Sequence, residues 1–293
     1  MLTGIDVSHW NDPIDWPKVK AGGYRFAITK ATEGRSYVDP SFVAHVDGAR
    51  RVGLVAGAYH FARPGDGPAS AQADRFLAVV TPELDDPLLL ALDLEDDGGL
   101  TPRGLGNWAE SFFDRVDYAL EHVVPGTVRP RPLLYLPDYF APQVDRARLG
   151  SRPLWLADVH DGDADVPAPW RGWTFWQYAA SYRVPGVASR ACDQDRFAGT
   201  HEELLMLAGD DLVEANPTPP ARPPALPIQE DTVQLIRHDN SPTTYLTNGL
   251  TRRWIKSPAE RDELVAAGIC TSRVAVVDRK TLEAIVLVGP SPD

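Results

Sequence analysis

Apolar residues in the first 200 positions fall in short bursts that end on polar or aromatic side chains. The clearest is Leu88-Leu89-Leu90-Ala91-Leu92-Asp93-Leu94-Glu95. An uninterrupted apolar run of this length reads as a strand buried on both faces, and such strands belong to parallel sheets. Residues i and i+2 on a strand share a face and lie about 6.6 Å apart along it. Asp93 and Glu95 are therefore expected to enter one space while Leu94 packs away from it. Seven further segments have the same form. Gly4-Ile5-Asp6-Val7 delivers Asp6, and 26–30 leads to Glu33. The run 55–61 delivers Tyr59 or His60, and Leu133-Leu134-Tyr135 delivers Tyr135. The run 154–158 delivers Trp155 or Asp158, 173–178 delivers Trp176 and Gln177, and Ala191-Cys192-Asp193 delivers Asp193.

Helical periodicity separates the early bursts. Residues 41–51, 69–80 and 107–123 follow the second, third and fourth strands, and the last carries Trp108, Phe112, Val116 and Leu120 near the helical period. Residues 137–149 are a weaker helical stretch, and no convincing helix follows. Alternation of strand and helix predicts a parallel sheet, and eight strands predict its closure. The fold class is α/β: an irregular, TIM-like (β/α)5β3 barrel with five helices. In such barrels the chemistry gathers at the C-terminal ends of the strands, where the acids and aromatics fall here.

The chain has 293 residues, room for one barrel and a small module. Residues 216–227 contain six prolines and read as an extended spacer of roughly 35 Å. The expected domains are a barrel over 1–213, a proline-rich linker over 214–227 and a small α+β module over 228–293. In that module 232–236 reads as a strand. Residues 243–246 and 252–255 flank Asn248-Gly249, a hairpin signal. Ser257 and Pro258 open a helix that Gly268 ends, and 274–277 and 284–288 read as further strands. Tyr245, Trp254, Arg252 and Arg253 could form a glycan-binding face, cover the module's own core or make a dimer contact.

The net charge of −12 is uneven: residues 1–213 hold 20 basic and 31 acidic residues, and 228–293 hold 8 and 9. Neither part has the basic footprint of a nucleic-acid binder. No apolar run is long enough to span a bilayer, so membrane insertion is not expected. Met1 leads directly into the first strand, so the expected product is made in a cytoplasm without a signal peptide. Cys192 and Cys270 lie on opposite sides of the linker and read as reduced. No Cys or His spacing suggests a metal site, and His9 and His60 read as pocket or packing residues. Trp10 and Trp16 read as barrel packing.

Taken together, Gly4-Ile5-Asp6-Val7-Ser8-His9-Trp10, Ile14-Asp15-Trp16, Lys30-Ala31-Thr32-Glu33-Gly34, Gly57-Ala58-Tyr59-His60-Phe61, Leu92-Asp93-Leu94-Glu95, Leu154-Trp155-Leu156-Ala157 and Trp176-Gln177-Tyr178 form a specific set. Over about residues 2–205 the chain resembles glycoside hydrolase family 25, the lysozymes (N-acetylmuramidases) that cut peptidoglycan. The resemblance implies a barrel of eight strands and five helices, no cofactor, and hydrolysis of the β-1,4 bond between N-acetylmuramic acid and N-acetylglucosamine. It carries the family's acids to Asp6, Asp93, Glu95 and Asp193, with Asp195 competing for the last position. It implies that the substrate's 2-acetamido group attacks the anomeric carbon, although simple inversion stays open.

The chemistry of the residues supplies roles. Glu95 is the expected acid, held protonated beside Asp93, with the other acids ionised. Tyr59, Tyr135, Trp155 and Trp176 would offer faces to sugar rings, with Glu33, Gln177 and Asp195 as further substrate contacts. Expected partners are peptidoglycan glycan strands and, for the second module, a cell-wall polymer or a second copy of itself. A phage endolysin that reaches the wall after release fits this plan. A bacterial autolysin and a non-catalytic wall-binding protein on a decayed barrel are the alternatives.

Overall fold

The computed structural model describes residues 1–123, 129–160, 162–210 and five strand segments beyond residue 232. The proline-rich spacer, the Asn248-Gly249 turn and the helix expected from Ser257 lie outside the described residues. Packing divides the chain into one unit of Met1–Leu120 with Val124–Glu214 and a second of Glu121–Val123 with Ala215–Asp293.

The first unit opens with β1 (Leu2–Val7) and α1 (Trp16–Ala21), then β2 (Phe26–Glu33) and the short β3 (Tyr37–Val38). It continues with α2 (Phe42–Arg51), β4 (Val55–Phe61), α3 (Ala69–Val80), β5 (Leu88–Asp93) and α4 (Pro102–Val123). After α4 come β6 (Leu133–Pro137), β7 (Leu154–Ala157), β8 (Phe175–Tyr182), β9 (Cys192–Phe197) and α5 (His201–Leu207). The sheet runs β1-β9-β8-β7-β6-β5-β4-β2, and pairing of β1 with β2 closes it into an eight-stranded barrel, with β3 outside the ring. Leu88 to Leu92 are all buried, the reason the run carries no polar residue before Asp93. Burying each leucine stabilises the fold by roughly 1.5–3 kcal/mol. Inside the barrel Phe26, Ile28, Leu89, Leu133, Trp155, Phe175 and Phe197 form the central core. Gly4 is required on β1 because an added Cβ would collide with the Phe26 ring.

Three features differ from the sequence expectation. Strand β9 is antiparallel to both β1 and β8, because the 183–191 connection is a hairpin loop too short for a crossover. The stretch 137–149 forms only a 3-10 turn at Ala141–Gln143, where Pro142 cannot continue a helical ladder. Helices α1 and α5 form where the sequence pattern predicts none. Asp15 caps α1 by accepting from Lys18 N, and Thr200 with Glu203 forms a capping box on α5.

The second unit contains β10 (Val233–His238), β11 (Thr244–Thr247), β12 (Thr251–Trp254), β13 (Cys270–Val277) and β14 (Val286–Leu287). They form a mixed sheet ordered β13-β10-β11-β12-β14. Tyr245 stands opposite Trp254 in the antiparallel β11–β12 register. Among the described residues no helix is long and apolar enough to cross a membrane.

Candidate active site

The closing strands bring acids from different parts of the chain to one end of the barrel. Asp6 on β1 stands directly opposite Asp193 on β9, and Gly4 stands opposite Asp195. Asp93 ends β5 in register with Phe61 and Tyr135. Leu94 is fully buried and its N–H donates to Tyr135 O (3.2 Å), so the alternation persists past the strand's end and Glu95 lies beyond it. Asp93 is 7% exposed, and its Oδ1 is buried without a hydrogen-bond partner among the described residues. Glu95 is half-buried.

These acids perturb one another. Burial first, then Asp195 and Asp193, push the Asp6 carboxyl well above its ordinary range. Burial and the neighbouring Glu95 do the same for Asp93. Burial raises Glu95 as well, while Arg63 and Lys30 oppose the rise. Asp195 is pushed up to about 8 by burial, against the hydrogen bond it accepts from Trp155. The proton load is therefore wider than one protonated Glu95 among ionised neighbours, because the aspartates are the more deeply buried groups.

Polar side chains lock the floor of the cluster. Gln177 Nε2 donates to Asp6 Oδ2 (2.8 Å), and Tyr135 Oη donates to Gln177 Oε1 (3.1 Å). Gln177 thereby orients Asp6 through an amide that Tyr135 fixes. Trp155 Nε1 donates to Asp195 Oδ1 (2.8 Å). Asp195 Oδ2 is buried without a hydrogen-bond partner among the described residues, and Asp6 is the acid beside Asp195. Two carboxylates carry no hydrogen between them, so this buried oxygen has a donor only when one of the pair is protonated.

Glu33, at the end of β2, belongs to an ion-pair chain. Lys30 donates to one of its oxygens, and Arg63 Nε donates to the other (2.8 Å). Arg63 also reaches Asp96 Oδ2 (2.8 Å) and lies over the Phe61 ring at 4.3 Å. Burial alone would raise Glu33, but its bonds to Lys30 and Arg63 outweigh it and hold the carboxyl below its usual range.

Several expected contacts stand elsewhere. Trp155 is 2% exposed and packs edge-on against Tyr135 (4.9 Å) and Tyr59 (6.4 Å), so it lies beneath the acids and offers no free face. Trp176 is 6% exposed and sits on the outer side of β8, because Gln177 takes the inward position and neighbours on a strand alternate. Tyr59 and Tyr135 border the acid cluster, which raises both phenols after burial has done so. Asp158 is buried away from the cluster, bonded to His160 and accepting from Asp165 N (2.7 Å). His60 is a core residue held by Thr32 and Gln72, and burial takes its pKa down to about 4.

Trp10 departs from its expected packing role. It is 79% exposed in a 3-10 turn capped by Ser8 and lies 4.4 Å from the His9 ring. Trp16 packs into the core as expected. Tyr139, just past β6, is 70% exposed and feels the charges of Glu95 and Asp93. Arg63 and Tyr139 escape sequence reading because both follow their strands into loops. Among the described residues no group of three or more His, Cys, Asp or Glu could hold a metal ion.

Comparison with known proteins places this arrangement. The profile of glycosyl hydrolases family 25 matches residues 5–187. Lysozyme M1 of Streptomyces globisporus is 34% identical over 219 residues, 71% of this chain and 72% of that protein. An N,O-diacetylmuramidase of Chalaropsis sp is 32% identical over 200 residues, 63% of this chain and 91% of that protein. The crystal structure of a bacterial lysozyme from Streptomyces coelicolor matches with a TM-score of 0.62 at 32% identity, covering 71% of this chain and 97% of that one. The chain belongs to glycosyl hydrolases family 25 and is a glycoside hydrolase.

Proposed function

We propose that the chain is a peptidoglycan muramidase that hydrolyses the β-1,4 bond between N-acetylmuramic acid and N-acetylglucosamine. The observation that carries this reading is the convergence of Asp6, Asp93, Glu95 and Asp193 at one end of a family 25 barrel. Relatives named as a lysozyme and a muramidase support it.

Cleavage needs a proton for the leaving oxygen and negative charge against an oxocarbenium-like transition state. Glu95 is assigned as the acid because it is the more exposed member of the central pair. Its proton passes to the glycosidic oxygen as the C–O bond breaks. The carbonyl oxygen of the substrate's 2-acetamido group bonds to the anomeric carbon, and Asp93 with Asp193 orients and stabilises that group. Water then attacks the anomeric carbon, the bond from that carbon to the acetamido oxygen breaks, and the water's proton passes to Glu95. Asp6, fixed by Gln177, tunes the charge of the cluster. Tyr59 and Tyr135 border the sugar, and Glu33 acts through Arg63 and Lys30.

In context we propose a phage endolysin, supported by the modular plan of a barrel, a proline-rich stretch and a second unit. Purified walls should release soluble muropeptides with wild-type protein and none with an Asp93→Asn/Glu95→Gln double variant. Equal release by both would remove the muramidase reading. Expression in a bacterial cytoplasm should lyse cells only with a co-expressed membrane pore. Lysis without the pore would contradict the endolysin context.

A further inference from the structure

Strands β8 and β9 have a second face, turned away from the acids. In chain order the segments 158–174 and 183–191 follow β7 and β8, and neither contains a described helix. On this outer face lies an open groove of about 820 Å³, whose lining includes His160, Trp176, Tyr178, Tyr182, Arg183 and Arg196. The Arg196 guanidinium stacks over Tyr178 at 4.1 Å and over Trp176 at 5.1 Å. Tyr24 and Tyr178 both donate to Gln194 Oε1, at 2.8 and 3.2 Å, which holds the floor rigid. Tyr182 is 61% exposed, and Arg183 beside it is exposed too. Among the described residues neither arginine forms an ion pair with a carboxylate. Arg196 is held by Tyr178, through a hydrogen bond and its ring face, and Arg183 is exposed, so two guanidiniums without a carboxylate partner among the described residues line one groove on a chain of net charge −12.

The position of the groove narrows its occupant. His160 lies just past the C-terminal end of β7 and Arg183 just past that of β8. The acids occupy this same end of the barrel. A glycan chain lying across the acids is therefore positioned to send a side branch over the β8–β9 rim into the groove. Arginine recognises carboxylates through paired, planar hydrogen bonds, and tyrosine faces accept the apolar parts of a peptide.

We propose that this groove binds the acidic peptide carried on muramic acid, with Arg183 and Arg196 receiving its carboxylates and Tyr182 its aliphatic stem. The proposal rests on the muramidase reading and extends it from glycan to peptide-bearing glycan.

The test uses the full-length chain and an Arg183→Glu/Tyr182→Ala variant, both positions being exposed. Two substrates are compared: glycan strands that retain their peptides, and the same strands stripped of them by an amidase. The variant should lose about ten-fold in kcat/KM on the peptide-bearing strands and keep wild-type kcat/KM on the stripped strands. Equal loss on both substrates would mean that the face only supports the fold, and no loss on either would mean that it binds nothing in the reaction. A loss confined to walls that retain anionic phosphodiester polymers would replace the peptide with those polymers. Each of these three results overturns the proposal. Failure of the wild-type chain to cut either substrate would instead overturn the muramidase reading.

Discussion

Replacing Glu95 by glutamine should separate chemistry from stability. The side chain is nearly isosteric, and among the described residues no hydrogen bond or ion pair ties Glu95 to the scaffold. The substitution therefore removes a proton and a charge while leaving the packing. Loss of a general acid costs about 10²–10⁴-fold in rate, or about 3–5 kcal/mol of barrier at 1.36 kcal/mol per decade. The stability effect has the opposite sign. Glu95 is raised by burial in the folded state, so its contribution is fully present below the unfolded carboxylate pKa and is lost as pH rises through the folded value. An amide resembles the protonated form at every pH. The variant should melt with wild type at pH 4 and at an equal or higher temperature at pH 8. Initial rates of dye release from labelled walls, paired with thermal melts at both pH values, check the two halves together. A folded variant within about ten-fold of wild-type turnover refutes the acid assignment. A large drop in melting temperature at pH 8 refutes the electrostatic argument.

Asp193→Asn should lower kcat more than it raises KM, because its carboxylate meets charge that exists only in the transition state, and Asp6→Asn should do the same by changing the charge of the cluster around it; a change confined to KM contradicts this. Asp195→Asn should be milder, since its amide can donate to Asp6 while Oδ1 still accepts from Trp155. Asp195 has a folded pKa near 8, so wild-type stability should fall as pH climbs from about 4 toward 8, and the Asn variant should show a flatter melting profile. Parallel profiles for the two proteins would count against a shared proton. Removing residues 214–293 should leave a barrel that still cuts soluble glycan fragments but lyses intact walls poorly. A truncated enzyme as lytic as the full chain would remove the anchoring role, and a smaller assembly by light scattering would point to self-association.

Much of the barrel was legible because burial on both faces leaves a continuous apolar signature, as in Leu88 to Leu92. The convergence of Asp6, Asp93 and Glu95 followed from where those signatures end. The direction of β9 was not legible from its own residues, because Asp193 and Asp195 share a face whichever way the strand runs. The short hairpin before it decides the matter. Trp176 and Gln177 could not both face the site, a parity constraint already present in the sequence. Trp155 required the third dimension: its indole N–H is used by Asp195, which sets the ring below the acids. Trp10 reads as barrel packing in the sequence, yet the Ser8-capped turn carries it out to the surface.

The bond that is cut defines the enzyme. Digesting a defined peptidoglycan, reducing the products with borohydride and weighing them by mass spectrometry labels every new sugar end. A muramidase gives fragments ending in reduced N-acetylmuramic acid, and Glu95→Gln gives none. Fragments ending in reduced N-acetylglucosamine, or no new reducing ends from the wild-type chain, would contradict a muramidase.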